Sequence, residues 1–476
     1  MSVAWFSIRP RVPAHSLSRR WRPGRLAHRS RTLLTLAIET SCDDTCVAIL
    51  DKPPLKAAAR LLFNRKITSD NRAFQGVHPL TSVISHTASL GPLIQQALGS
   101  LPEAPAVQIG GFGVWKKLIW VDGVVRQKPD FVTVTRGPGM SSNLATGLNT
   151  AKGLAAAWDV PLLGVNHMQA HALTPRLVSA LEEGKKQEEQ YWKPAVAKKT
   201  GQHPEAQKPV FPFLSLLVSG GHTLLVHSKS CTDHQILAEA MNIAIGDMID
   251  KCARTIVPAS VLAGVNNVMY GALLEEFAFP EIRGPEDYDY APPPTRADEI
   301  KNFDSGRGWT LTPPLSGTSV MAYDFAGFNS QVQRTVVADP DMSLDDRRFL
   351  AKHAMRLAFE HLASRLLFAL KKNLDCKAIN TVVISGGVAS NKYLMHIMKS
   401  MLKVRGFGHV DIIAPPPALC TDNAAMIAWT GMEMYEAGWR SEMDVLVMPK
   451  WPVDPSTAGG GILGAPGWFN VKKGET

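Results

Sequence analysis

The chain of 476 residues is 45% hydrophobic, 20% charged and 7% aromatic, a globular mixture long enough for one large two-lobed domain or several small ones. No apolar run approaches the roughly 18 residues of a membrane-spanning helix, and six cysteines without a CxxC pair exclude a disulfide scaffold and a structural zinc ribbon. The net charge of +9 sits almost wholly at one end. Residues 1–31 hold Arg9, Arg11, Arg19, Arg20, Arg22, Arg25, Arg29 and Arg31 without one acidic side chain, and with those eight set aside 43 basic residues face 42 acidic ones.

That leader, interspersed with Trp5, Phe6, Leu17 and Trp21, reads as a mitochondrial presequence over 1–31, the alternative being a basic tail that touches RNA or membrane. Thr32–Ile49 reads as strand, tight turn and strand. Phe131–Val134 is a buried strand running into Arg136-Gly137-Pro138-Gly139, followed by a helix over Asn143–Trp158 and a strand over Pro161–Val165. Glu182–Pro209 is a charged, solvated insertion. Phe211–Val218 and Thr223–His227 form a hairpin around Ser219-Gly220-Gly221. Pro280–Pro314, rich in proline and glycine, is expected as a surface excursion. A helix spans Asp345–Lys372, and the strand Thr381–Ile384 ends in a second Ser-Gly-Gly at 385–387. Helices follow over Asn391–Lys403 and Asn423–Ala437, and Pro452–Thr476 reads as a loose tail. Strands alternating with helices imply an α/β protein, and the two Ser-Gly-Gly strand ends hint at a duplicated lobe.

Chemistry concentrates in a few stretches. His167 and His171, at i and i+4, share one helical face and are close enough to ligate one metal. Met168 stands where a zinc protease needs its glutamate base, and two histidines are too few, so a third, acidic ligand must come from elsewhere. Paired glycines at 220–221 and 386–387 let the backbone approach a phosphate or ribose closely. Glu39-Thr40-Ser41-Cys42-Asp43-Asp44-Thr45 is either a phosphate-cradling loop or an ordinary turn. Asp247 and Asp250 with Lys251 read as a solvated helix face. Thr421 or Asp422 is a plain helix cap, or Asp422 is the missing ligand.

Seven stretches in order, Ile38–Val47, Val132–Gly139, His167–His171, Leu217–Thr223, Ile245–Lys251, Ile384–Leu394 and Leu419–Met426, resemble the universal tRNA threonylcarbamoyladenosine synthase family, once described as glycoproteases. The resemblance implies an actin-like fold (as in sugar kinases, Hsp70 and actin) with two related lobes, 32–208 plus 421–451 and 209–420, with 280–314 inserted and 452–476 a flexible tail. It implies one divalent metal, zinc or iron, on His167, His171 and Asp422. Leu217, Val218, Ser219, Gly220, Gly221, Asp250 and Asn391 would hold an adenylate, with Gly271 and Glu275 as further substrate contacts, while Ser41 and Asp43 would face the reacting group. The implied reaction moves a threonylcarbamoyl group from threonylcarbamoyl-AMP, made by a separate synthase, to N6 of the adenosine beside the anticodon in tRNAs reading ANN codons. With the arginine-rich leader, the chain resembles the mitochondrial matrix form, for which a homodimer is implied. A sugar kinase of the same fold, a metalloprotease and a silent scaffold are the competing readings. Cys42 and Cys46 are expected to be packed thiols. For so neutral a body, tRNA contacts would fall to local basic pairs, Lys185–Lys186, Lys198–Lys199, Arg347–Arg348 and Lys371–Lys372.

Overall fold

The computed structural model describes residues 32–472 except 54–56, 72–73, 75–76, 105–116, 193–206, 264–269, 285–286 and 373–378. The presequence expected over 1–31 and the pair Lys198–Lys199 lie outside the described residues.

Two sheets organise the chain. The first holds seven strands in the spatial order Trp468–Asn470, Trp439–Ser441, Leu162–Asn166, Phe131–Gly137, Leu33–Glu39, Asp44–Lys52 and Arg60–Thr68. The second holds six, Ala322–Tyr323, His234–Ala240, Thr223–Ser228, Phe213–Val218, Thr381–Ser385 and Asp411–Ile413. One pairing pattern recurs in both. The strand Leu33–Glu39, or Phe213–Val218, pairs antiparallel with the next strand, which pairs antiparallel with the third. Two later strands then add on its other side, in parallel. The fold is a mixed α/β arrangement with a repeated five-strand unit.

Strands covered on both faces read as near-continuous apolar runs, and these do. In Leu33–Glu39, Leu34, Leu36 and Ile38 pack with Leu148, Ala151 and Ala155 of the helix Ser141–Trp158. Ala37, pointing the other way, packs with the helices His167–Trp192 and Ala424–Glu436. That second cluster also takes Phe213, Leu217 and Val383, so the inner faces of both sheets share one core. On its outer face the second sheet buries Leu214, Leu216 and Val218 against the helices Ile245–Ile256 and Leu344–Lys372.

Two expectations are corrected and a third is made more specific. The 452–476 tail is not loose in its described part: Val453, Ile462 and Ala465 are buried in the shared core, and Trp468–Asn470 pairs with Trp439–Ser441. The buried Arg136 anchors the approach to it, donating to the Leu446 and Pro466 carbonyls at 2.7 Å each. The 280–314 stretch, expected as a surface excursion, is held against the body: Phe303 stacks on His353 at 4.0 Å and the buried Glu299 receives Arg405 at 2.9 Å. The expected insertion from Glu182 begins as helix, since the histidine helix continues to Trp192.

Candidate functional site

Asn166 starts the histidine helix. Its Oδ1 accepts from the backbone N–H groups of Met168 and Gln169 at 2.9 and 3.1 Å, which sets His167 and His171 one turn apart at the edge of the shared core. A second asparagine does the same at the helix Ala424–Glu436, where Asn423 Oδ1 accepts from Met426 N–H at 3.0 Å. The cap is therefore Asn423, not Thr421 or Asp422, and the Asp422 carboxylate is released toward the histidines. His167 Nε2 and His171 Nε2 lie 3.4 and 3.1 Å from Asp422 Oδ1 and 3.2 Å from each other.

Those three atoms suit a divalent cation. Two imidazole nitrogens and one carboxylate oxygen make a borderline donor set of the kind zinc and ferrous iron accept. Bonds of about 2.0–2.1 Å in a tetrahedron put neighbouring ligand atoms about 3.3–3.4 Å apart, close to the observed triangle. Three side chains leave a further position for a substrate oxygen. Both histidines are buried, and burial opposes charge on Asp422, yet His167 and His171 hold its carboxyl well below the usual carboxylate range. Among the described residues this is the only such cluster of three or more potential metal-ligating side chains.

The loop after Leu33–Glu39 borders the cluster. Ser41 Oγ lies 3.3 Å from His167 Nδ1, and Glu39 Oε2 lies 3.1 Å from the same nitrogen. Asp43 is half-buried, its carboxyl raised by burial and by Asp44. The Cys42 thiol is pushed up by burial and by Asp43, which keeps it protonated and unsuited to attack, and Cys46 is buried.

The glycine turns meet on the second sheet. Gly386, at φ +99°, approaches Val218 so closely that a Cβ would stand 2.3 Å from its carbonyl oxygen. At Gly246 a Cβ would stand 2.7 Å from the Ser219 oxygen, and Gly246 N–H donates to that oxygen at 3.1 Å. Only glycine lets the helix Ile245–Ile256 begin against the Ser219-Gly220-Gly221 turn. Gly220 and Gly221 are exposed, whereas Leu217 and Val218 are buried at the strand end. Asp250, one turn beyond Gly246, faces Gly271, and burial raises its carboxyl to about 6 against the opposing pull of Arg254. Glu275 and Asn391 are brought together at the start of the helix Lys392–Val404. Asn391 Oδ1 caps it, accepting from Leu394 N–H at 2.9 Å, and Glu275 Oε1 accepts from Tyr393 N–H and the Tyr288 hydroxyl at 2.9 Å each. Among the described residues the Asn391 amide Nδ2 has only the Met355 sulfur for a partner, a weak contact at 4.0 Å.

Two residues left unassigned by sequence belong here. His222 follows the first glycine turn and interacts electrostatically with His167, His171 and Asp422. Glu39 is fully buried at the end of an apolar strand, and a lone buried carboxylate always demands donors; that was the signal available.

Fold and site together define a class: an α/β protein with a repeated sheet unit, in which a His, His, Asp cluster lies beside one loop and glycine turns beside another. A family model described as tRNA N6-adenosine threonylcarbamoyltransferase matches residues 113–186 and 195–429. The Schizosaccharomyces pombe protein named "tRNA N6-adenosine threonylcarbamoyltransferase, mitochondrial" is 33% identical over 456 residues, covering 93% of this chain and 90% of its own. The Novosphingobium aromaticivorans tRNA N6-adenosine threonylcarbamoyltransferase is 28% identical over 427 residues, covering 89% and 97%. The chain belongs to the tRNA N6-adenosine threonylcarbamoyltransferase family and is a tRNA-modifying transferase.

Proposed function

We propose that the chain transfers the threonylcarbamoyl group of threonylcarbamoyl-AMP to N6 of the adenosine adjacent to the anticodon in mitochondrial tRNAs reading ANN codons, releasing AMP. The observation that carries this reading is the meeting of His167 Nε2, His171 Nε2 and Asp422 Oδ1 within 3.4 Å of one another, next to the Ser41 loop. His167, His171 and Asp422 hold one divalent ion, zinc or iron, which when bound supplies a Lewis acid for the acyl donor. An aromatic amine is a weak nucleophile, so the protein's part is to fix the donor and stabilise its leaving group. The exposed turn at Ser219, Gly220 and Gly221 presents backbone N–H groups for the phosphate of the adenylate. Asp250, at the rim of the helix Ile245–Ile256, accepts ribose hydroxyls, and Asn391 Nδ2 donates to the nucleoside. The Gly271 backbone N–H donates to the Asp250 carboxylate, and Glu275 holds the Lys392–Val404 helix start in place. Ser41 and Asp43 lie beside the reacting carbamoyl carbon. The mixed anhydride arrives activated, so no covalent enzyme intermediate is needed.

The fold is read as actin-like, with the repeated five-strand units as its two lobes; the first sheet's lobe runs on through Trp468–Asn470. The arginine-rich leader and the mitochondrial relative support import into the matrix, and the chain is read as a homodimer there. No helix among the described residues is long and apolar enough to cross a membrane. The test is incubation of the purified chain with an unmodified mitochondrial tRNA transcript and threonylcarbamoyl-AMP, followed by nucleoside analysis of the tRNA. Formation of the threonylcarbamoyl nucleoside supports the reading; unchanged adenosine with intact substrate refutes it.

A further inference from the structure

We infer that Glu39 is the positioning residue that makes His167 a metal ligand, acting through the ring nitrogen on the far side from the cluster. The inference rests on the reading that His167, His171 and Asp422 hold a divalent ion. Every group around the Glu39 carboxylate is a donor. Ser41 N–H donates to Oε1, the Thr135 hydroxyl donates to Oε2, and His167 Nδ1 lies 3.1 Å from Oε2. Thr135 is itself fully buried, and Glu39 has no exposed surface, so water does not compete for these contacts. A carboxylate accepts only, and with two of its neighbours already donating, the proton between it and His167 belongs on Nδ1. That leaves the Nε2 lone pair aimed at His171 Nε2 and Asp422 Oδ1. The tautomer, the ring orientation and the basicity of the ligand are all set from behind. Glu39 also adds a negative charge that two neutral imidazoles and one carboxylate lack against a dication.

A neutral amide in the same place reverses the logic. In Glu39→Gln one end of the side chain becomes an NH2 donor among donors, facing the Ser41 N–H or the Thr135 and His167 pair. Relief comes when His167 turns Nδ1 into the acceptor and moves its proton to Nε2, where it blocks the metal. A rival arrangement makes Ser41 Oγ, at 3.3 Å, the acceptor of the Nδ1 proton. Then Glu39 is a structural carboxylate only.

The experiment measures Zn2+ affinity by chelator competition for the wild-type chain, E39Q, E39D and S41A, with the melting temperature of each metal-free protein. Tight binding by the wild type tests the metal reading itself; if it fails, the metal assignment falls before Glu39 is questioned. With that in hand, E39Q is expected to lose about 10–100-fold in affinity. E39D, which keeps charge and acceptor character at shorter reach, falls between E39Q and wild type, and S41A stays within about twofold. A lowered metal-free melting temperature with unchanged Zn2+ affinity in E39Q would assign Glu39 to structure alone and overturn the inference. Should E39Q not fold, E39D decides: a loss of threefold or more supports it and wild-type affinity overturns it. A large loss in S41A with none in the Glu39 variants would hand the role to Ser41.

Discussion

His171 Nε2 stands 3.1 Å from Asp422 Oδ1 although 251 residues separate them in the chain. The contact exists because two asparagine caps start two helices at the same edge of the shared core, one presenting a histidine and the other freeing an aspartate. Removing either ligand leaves a pair that cannot close a site. His167→Ala and Asp422→Ala are each expected to lose more metal affinity than the about 10–100-fold attached to an outer partner, with activity falling in step. Elemental analysis of the folded variants checks this, and full occupancy in both would remove the assignment.

Asp250 gives the reaction a pH signature. Burial raises its carboxyl to about 6, with Arg254 pulling the other way. On the proposed reading it is ionised above that pH and accepts ribose hydroxyls, and below it the proton blocks one acceptor. The KM for threonylcarbamoyl-AMP is expected to rise as pH falls through about 6, with kcat changing less, and Asp250→Asn should show a high KM that no longer varies with pH. An unchanged KM profile in the variant would place Asp250 outside the substrate site.

Glu360 couples stability to pH away from the site. Burial raises it from 4.5 to about 7, while Arg356 and the Tyr290 hydroxyl, 3.1 Å from Oε1, oppose the shift. A folded-state value above the unfolded one means the folded chain holds the proton more tightly. The contribution to stability is then fully present below about 4.5 and is lost as pH rises through 7, a change on the order of 3 kcal/mol. Chemical denaturation of Glu360→Gln between pH 5 and 8 should show a flatter profile than wild type. Parallel profiles would contradict it.

The basic pairs do not have equal claims on tRNA. Arg347 is spent within the fold, donating to the Met342, Ile256 and Pro340 carbonyls at 3.2, 3.0 and 2.9 Å, and Arg348 lies over the Phe277 ring at 5.7 Å. Arg347 therefore has the weaker claim, whereas Arg348, like Lys372 over the Phe368 ring at 5.1 Å, is held only by an aromatic face. Arg347→Ala should cost about 2 kcal/mol of stability and leave the tRNA affinity of the folded protein unchanged. Lys185, Lys186, Lys371 and Lys372 are exposed. Reversing them to glutamate should weaken tRNA binding, within a shallow salt dependence of about three to five phosphate contacts at roughly 0.7–0.9 each. A log–log salt slope near ten would point to a far larger basic surface.

Sequence carried the central strands, the histidine helix and both glycine turns because their signals are local: buried strands are apolar throughout, and His167 and His171 are one turn apart. The edge strand Arg60–Thr68 escaped notice because none of its residues is buried and its exposed ones include Arg60, Arg65 and Lys66, so it lacks the apolar run of a central strand. The helix Pro79–Leu98 lacks any charged residue and holds Pro92 within it, so it offers little polar contrast and a breaker. The tail was misjudged because its glycines and prolines are local while the burial of Val453 and Ile462 depends on strands far away in sequence. At the site, Asp422 was legible as a candidate because two histidines call for an acidic third ligand, but the cap was placed on Thr421 or Asp422 rather than on Asn423. Glu39 was read only as part of a polar loop and not as a partner of the histidines, since His167 is 128 residues distant.

The most direct test follows the carbonyl. Threonylcarbamoyl-AMP labelled with 13C at the carbamoyl carbon is incubated with the purified chain and an unmodified mitochondrial tRNA transcript, and the label and AMP are both quantified. The account expects one labelled N6-threonylcarbamoyl adenosine for each AMP attributable to tRNA, in the nucleoside beside the anticodon, and none with His167→Ala. AMP release with all label lost to bicarbonate, unlabelled threonine set free beside it, and none in the tRNA, would contradict it.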